Sequence, residues 1–313
     1  MKIAAFPKAF LEPMIVSRSM TVFEWIDLAT QLPVDGLELH TGFFWDESPD
    51  ERRRVIDALA TAGFEMPMLC ASPDFTNPDA DQRAREFDEQ VRAMQMAAEI
   101  GGPGTACRVL SGQAHPSVSV EQGLDWASEA ITRLLPLASE LDITVVIENH
   151  YKASTWQYPE FAQRKDVFLT LLERIPDNPR FGVQFDPSNA LVAGEDPADF
   201  LQVVIDRVRT MQASDRYLDD GSDLASLRQA DGTIGYSPAL KHGVLGRGLN
   251  PYPRIFDILV AGGYDGWISI EDGINGMEEM RESALFLQDA RETWFGGARA
   301  VSVRALQQTG AQE

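Results

Sequence analysis

The chain has 313 residues and a formal net charge of −21, from 48 acidic against 27 basic side chains. Such a charge repels a nucleic-acid backbone or an anionic membrane, so a small neutral or metal-bound substrate suits it better. Two cysteines, Cys70 and Cys107, make no disulfide framework in so long a chain, and the length suits a single (β/α)8 barrel.

A first strand is predicted over residues 2–6. No apolar run as long as a signal-peptide core precedes Pro7 and Lys8, and no later stretch approaches a membrane span, so a soluble, cytoplasmic protein is expected. Further strands are predicted over 36–40, 66–71, 105–110, 143–148, 181–186, 208–212 and 267–271. Helical patterns with start signals lie between them: Thr21 with Glu24, Ser48-Pro49 with Glu51, Asp196-Pro197 with Asp199, and Asn250-Pro251. Residues 79–100 and 119–141 read as long amphipathic helices, and 277–295 as a closing helix before a polar tail at 301–313. Strand–helix alternation eight times over points to a TIM barrel, an α/β single domain over residues 1–300, rather than an open sheet.

Small features read as structure. Gly101-Gly102-Pro103-Gly104 stops a helix, Gly243-Val244-Leu245-Gly246-Arg247-Gly248 is a turn, Arg52-Arg53-Arg54 is a solvated helix face, and both cysteines are small buried hydrophobes. Two stretches break the rhythm. Residues 150–164 carry Tyr151, Trp156 and Tyr158, and 216–247, after the seventh strand, is too long for an ordinary loop. They read as a lid or as an aromatic platform, with Trp156 under a ring-shaped substrate; a plain surface insertion is the alternative.

The strand ends carry the chemistry. Ile143-Thr144-Val145-Val146-Ile147 ends at Glu148, Phe181-Gly182-Val183-Gln184-Phe185 at Asp186, Val208-Arg209-Thr210-Met211 at Gln212, and Gly266-Trp267-Ile268-Ser269-Ile270 at Glu271. In a parallel barrel these tips meet at one face. Three carboxylates so placed repel one another unless a cation neutralises them, and hard divalent ions favour oxygen ligands. His150, two residues beyond Glu148, points to the same side on extended backbone and is suited to proton transfer at neutral pH. His40, at the tip of the second predicted strand, is a substrate contact on the same geometry. His115 and His242 have flanks that specify no role.

Gly36-Leu37-Glu38-Leu39-His40, Val146-Ile147-Glu148-Asn149, Gln184-Phe185-Asp186-Pro187-Ser188-Asn189, Ser214-Asp215-Arg216, Gly246-Arg247-Gly248 and Ser269-Ile270-Glu271 form an ordered set of motifs. From the first strand to about Phe295 the chain resembles the sugar phosphate isomerase/epimerase superfamily, the xylose isomerase-like barrels. The resemblance implies that Glu148, Asp186, Gln212 in a histidine's place, and Glu271 hold a divalent ion, Mn²⁺ foremost with Mg²⁺ or Co²⁺ as alternatives. It implies that Glu148 and Glu271 exchange protons with the substrate. It also implies that Asn189 and Arg216 hold sugar hydroxyls.

Within that superfamily, Glu148-Asn149-His150, Gln212, the long insertion and the segment from Glu271 to Met280 look most like the large subunit of C-glycoside deglycosidases. That resemblance implies a lyase: a 3-keto glycoside is deprotonated at C2, the aglycone leaves C1, His150 serves as base or acid, and a small partner subunit assists. A ketose 3-epimerase, an isomerase or an inosose dehydratase is the alternative. A barrel that binds sugar without turnover is the alternative of another class, raised by Gln212.

Overall fold

The computed structural model describes residues 1–153, 156–231 and 237–296. Eleven strands run in order: β1 (Lys2–Ala5), β2 (Gly36–Leu37), β3 (Leu39–His40), β4 (Met68–Cys70), β5 (Ala106–Val109), β6 (Thr144–Glu148), β7 (Phe181–Phe185), β8 (Val208–Ala213), β9 (Asp215–Leu218), β10 (Leu240–Gly243) and β11 (Trp267–Ile270). Nine form one parallel sheet in the order β2-β1-β11-β8-β7-β6-β5-β4-β3. The two ends of that sheet, β2 and β3, are the halves of the single strand predicted over 36–40, so the chain through Glu38 closes the barrel. Glu38 interrupts the ladder but donates its N–H to the Ala5 carbonyl at 3.0 Å.

Among the described residues there are ten α-helices: α1 (Val22–Ala29), α2 (Pro49–Ala62), α3 (Ala80–Gly101), α4 (Val120–Glu140), α5 (Lys165–Arg174), α6 (Pro187–Val192), α7 (Pro197–Val204), α8 (Leu224–Asp231), α9 (Tyr252–Ala261) and α10 (Met277–Ala290). Their starts follow the sequence signals. Thr21 and Glu24 close a reciprocal capping box on α1, and Ser48 and Asp196 cap α2 and α7 through the N–H groups of Glu51 and Asp199. Asn250 is a correction: its Nδ2 donates to Ser188 and the Ser214 carbonyl, its Oδ1 accepts no helix N–H, and Pro251 takes the N-cap position of α9 with Pro253 in the first turn. The tail at 301–313 lies outside the described residues. Among those residues no helix is long and apolar enough to cross a membrane.

Ile3, Leu37, Leu39, Leu69, Val145, Val183, Met211 and Ile268 belong to one apolar core shared with the helices. The lumen is different. Gln212 of β8 donates to Glu38 at 2.8 Å, a bond between non-neighbouring strands that crosses the barrel, Thr210 is buried on the same strand, and Arg108, Gln184 and Ser269 are buried on others. A barrel interior is ordinarily filled by branched apolar side chains, so polar groups here point to a built site.

Candidate active site

Glu148 ends β6, Asp186 follows β7 and caps α6 by accepting the Asn189 N–H at 3.0 Å, Gln212 lies in β8, and Glu271 follows β11. Asn149 clamps two of these tips, accepting the Asp186 N–H at 2.8 Å and donating to its carbonyl at 2.7 Å. Glu148, Asp186 and Glu271 lie close enough to feel one another's charge. Burial pushes Glu148 up to about 7 and Asp186 well above the usual carboxylate range, with Glu271 adding to both.

Two cations enter this acidic cluster. Arg108 of β5 donates to Glu148 at 2.7 Å and to Ser72 at 3.1 Å, fully inside the barrel. Lys8, just beyond β1, donates to Glu271 at 2.9 Å. Burial works against both charges of the Lys8–Glu271 pair. Their mutual attraction outweighs it, holding the amine above and the carboxyl below their ordinary ranges.

Above the tips lies a cavity of about 280 Å³ lined by Lys8, His150, Asn189, Arg216, His242 and Glu271 among others. His150 and Arg216 thus share one cavity with Glu271. Asn189 does too, but its amide donates to Glu148 at 2.8 Å. The Arg216 Nε is buried without a hydrogen-bond partner among the described residues. His150 turns Nδ1 towards Glu160 Oε2 at 3.5 Å, and both atoms are buried. Burial, then the charges of Arg108 and Lys8, keep this imidazole neutral, while burial pushes Glu160 up to about 8.

Two expected contacts sit elsewhere. His40 lines a neighbouring cavity of about 370 Å³ with Ser72, Glu47 and residues of α3, because its Nδ1 accepts the Gly42 N–H at 2.9 Å and caps the turn there. Trp156 is buried edge-on against His150 and is absent from the cavity wall; Tyr151 takes that place. The long insertion is the antiparallel hairpin β9/β10 with α8. Asp215 secures it by accepting the N–H groups of Arg216, Gly246, Gly248 and Asn250.

A family described as xylose isomerase-like TIM barrel matches residues 26–290. This chain belongs to that family. No curated protein matches the sequence. Among solved structures it is similar to a D-tagatose 3-epimerase-like protein, at 17% identity, TM-score 0.71, over 93% of this chain and 97% of that one. It is similar to the IOLI protein with a binding zinc atom, at 13% identity and TM-score 0.72, over 95% and 100%. The 3-keto-D-glucoside 4-epimerase YcjR from E. coli shares 16% identity at TM-score 0.65, over 93% and 99%. At these identities the likeness is one of fold.

Whether a divalent cation suits this xylose isomerase-like barrel rests on its own donors. Among the described residues no three His, Cys, Asp or Glu side chains are gathered for a metal, since Glu148 faces Arg108 and Asn189, and Glu271 faces Lys8. Among the described residues, two of the four expected ligands keep a spare oxygen, Asp186 Oδ2 and Gln212 Oε1, both buried and accepting no hydrogen bond, as are Glu38 Oε1 and Gln184 Oε1 in the lumen. Glu38 fixes the Gln212 amide by taking its nitrogen, which leaves the oxygen as the free end. An all-oxygen donor set, with the spare Asp186 oxygen near Glu148 and Glu271, fits a hard divalent ion.

Sequence reasoning missed Lys8, Arg108, Glu38, Glu160 and Asp272, and left His242 without a role. Lys8, Glu38 and Arg108 lie in or beside predicted strands, and an ionisable residue in an otherwise apolar strand is the signal that would have found them. His242 and Asp272 had no such signal. Their pairing depends on the hairpin.

Proposed function

We propose that this barrel enolises a keto sugar and, in its full form, expels the aglycone of a 3-keto C-glycoside. The observation that carries the reading is the cavity in which Glu271, His150, Lys8 and Arg216 face one another over the strand-end oxygens. Removing a proton from carbon beside a carbonyl needs a base held in low dielectric and charge to stabilise the enolate oxygen. Glu148 and Glu271 are the bases at hand, each tied to a cation. Lys8 and Arg216 offer positive charge at the cavity wall, and neutral His150 takes or returns the second proton. The C–H proton moves to a carboxylate, and its electron pair forms the double bond to the neighbouring carbon as the bond to the substituent breaks; the substituent leaves with the His150 Nε2 hydrogen while Glu160, kept protonated by burial, returns one to Nδ1.

Glu148, Asp186, Gln212 and Glu271 would hold the divalent ion, Mn²⁺ foremost. When bound it supplies Lewis acidity to the carbonyl and adjacent hydroxyl oxygens. A small partner subunit belongs to this proposal, supported by the resemblance to C-glycoside deglycosidases. A second reading, epimerisation or dehydration of a free keto sugar, is favoured by the cavity itself. At about 280 Å³ it lies at the lower end of ligand pockets, which run to roughly 1,000 Å³.

The test uses a 3-keto C-glucosylated flavonoid with the chain alone and with its co-expressed partner. We expect free aglycone in the paired preparation, stopped by EDTA and restored by Mn²⁺. Rapid 3-epimerisation of a free ketose with no aglycone from either preparation would select the second reading.

A further inference from the structure

The hairpin β9/β10 brings into the cavity a histidine that the proposed chemistry does not use. His242 and Arg216 are register partners on its two strands, and both line the cavity with Lys8 and Glu271. The His242 Nδ1 lies 2.9 Å from Asp272 Oδ1. Asp272 is fully buried, and its Oδ2 accepts the Asp215 N–H at the base of the hairpin. That anchor is firm, because Asp215 itself takes four backbone N–H groups from the hairpin and the glycine turn.

An ionised carboxyl at one imidazole nitrogen selects the tautomer in which Nδ1 carries the hydrogen and Nε2 keeps a lone pair; burial raises Asp272 and works against that ionisation, while the Asp215 N–H that its Oδ2 accepts and the charges of Arg216 and Lys8 work for it. Nε2 has no protein hydrogen bond among the described residues, and burial with the charges of Arg216 and Lys8 holds the ring neutral. Lys8 and Arg216 are donors, and the Asn189 amide nitrogen is committed to Glu148. Beside the His150 ring and the Ser237 hydroxyl, His242 Nε2 is therefore one of the uncharged acceptors the cavity offers, and the one on the hairpin strand opposite Arg216.

We propose that His242, held by Asp272, is a specificity-determining residue that accepts a hydrogen bond from one substrate hydroxyl. The proposal rests on the keto-sugar reading above and deepens it. A site built to bond a hydroxyl penalises the analogue that lacks it, since the acceptor is then left buried and unpaired. The ligand is a keto sugar with a free hydroxyl at the position that meets Nε2.

Two measurements test this on the full chain. The first is calorimetric binding of 3-keto-D-glucose and its monodeoxy analogues to the wild type, His242→Phe and His242→Gln. We expect one analogue to bind the wild type about 10- to 100-fold more weakly than the parent sugar. That penalty should vanish in His242→Phe and return in part in His242→Gln, whose amide oxygen can accept. The second is ¹⁵N NMR of the ring nitrogens, assignable by substitution among four histidines. It should place the His242 hydrogen on Nδ1 in the wild type and move it in Asp272→Asn.

An undiminished penalty in His242→Phe, or a hydrogen on Nε2 in the wild type, overturns the proposal while leaving the keto-sugar reading intact. A wild-type chain that binds none of these sugars overturns that reading, and this proposal with it.

Discussion

Glu160 is sealed behind the loop that follows β6, bonded to the N–H and hydroxyl of Ser111, and burial pushes its carboxyl up from 4.5 to about 8. The sign of its effect on stability follows. Between those values the folded chain keeps a proton that the unfolded chain has released, so stability is present at low pH and falls as pH rises towards 8. Glu160→Gln, neutral throughout, removes that slope. Denaturant titrations near pH 5 and near pH 8 should show the wild type losing stability relative to the variant, by at most about 1.4 kcal/mol per pH unit. An unchanged difference between the two proteins at both pH values would refute the assignment. His150 acts in the opposite sense, being held neutral when folded, which is why the comparison is made between proteins rather than between pH values alone. At this scale the carboxylates at the strand tips were legible because an acid closing an apolar run has few bland explanations. Lys8 and Arg108 were not legible, because a sequence shows which residues carry charge but not which opposite charges the barrel sets beside them.

The hairpin β9/β10 is the element whose stability bears most on the cavity. Asp215 replaces a missing third strand as its anchor, and a Cβ at Gly248 would strike the Arg216 carbonyl and the Asp215 carboxylate, so the turn passes close around that acid. Asp215→Ala would leave four backbone N–H groups without their acceptor, at about 1–3 kcal/mol for each that stays buried. We expect the barrel to stay folded while amide exchange at Gly246, Gly248 and Asn250 speeds up by at least tenfold. Exchange as slow as in the wild type would mean that the hairpin is held by other contacts. Its existence was invisible in the sequence beyond a stretch too long for a loop, since four-residue strands give no period to count. Helix caps were the reverse case. Thr21 with Glu24 and Ser48 with Pro49 specify local geometry within four residues, and the fold kept both. The second strand shows the limit of a pattern: Gly36 to His40 reads as one run, yet Glu38 turns into the lumen and splits it.

For the whole molecule, the barrel gathers acids from β6, β7 and β11 around Lys8 and Arg108 and leaves two spare oxygens at Asp186 and Gln212. Eight strand positions were countable because apolar β-branched runs alternate with capped helices, and closure followed from the number. What counting could not give is the polar lumen, which depends on which side of each strand faces in. The central claim is that this assembly makes carbon beside a carbonyl acidic. Its most direct measurement is solvent exchange: 3-keto-D-glucose with Mn²⁺ in D₂O, followed by mass spectrometry, for the wild type, Glu148→Gln and Glu271→Gln. Deuterium should enter the sugar with the wild type, and at a rate lower by about 10²–10⁴ with either variant. No entry with the wild type, or equal entry with all three proteins, would contradict that claim.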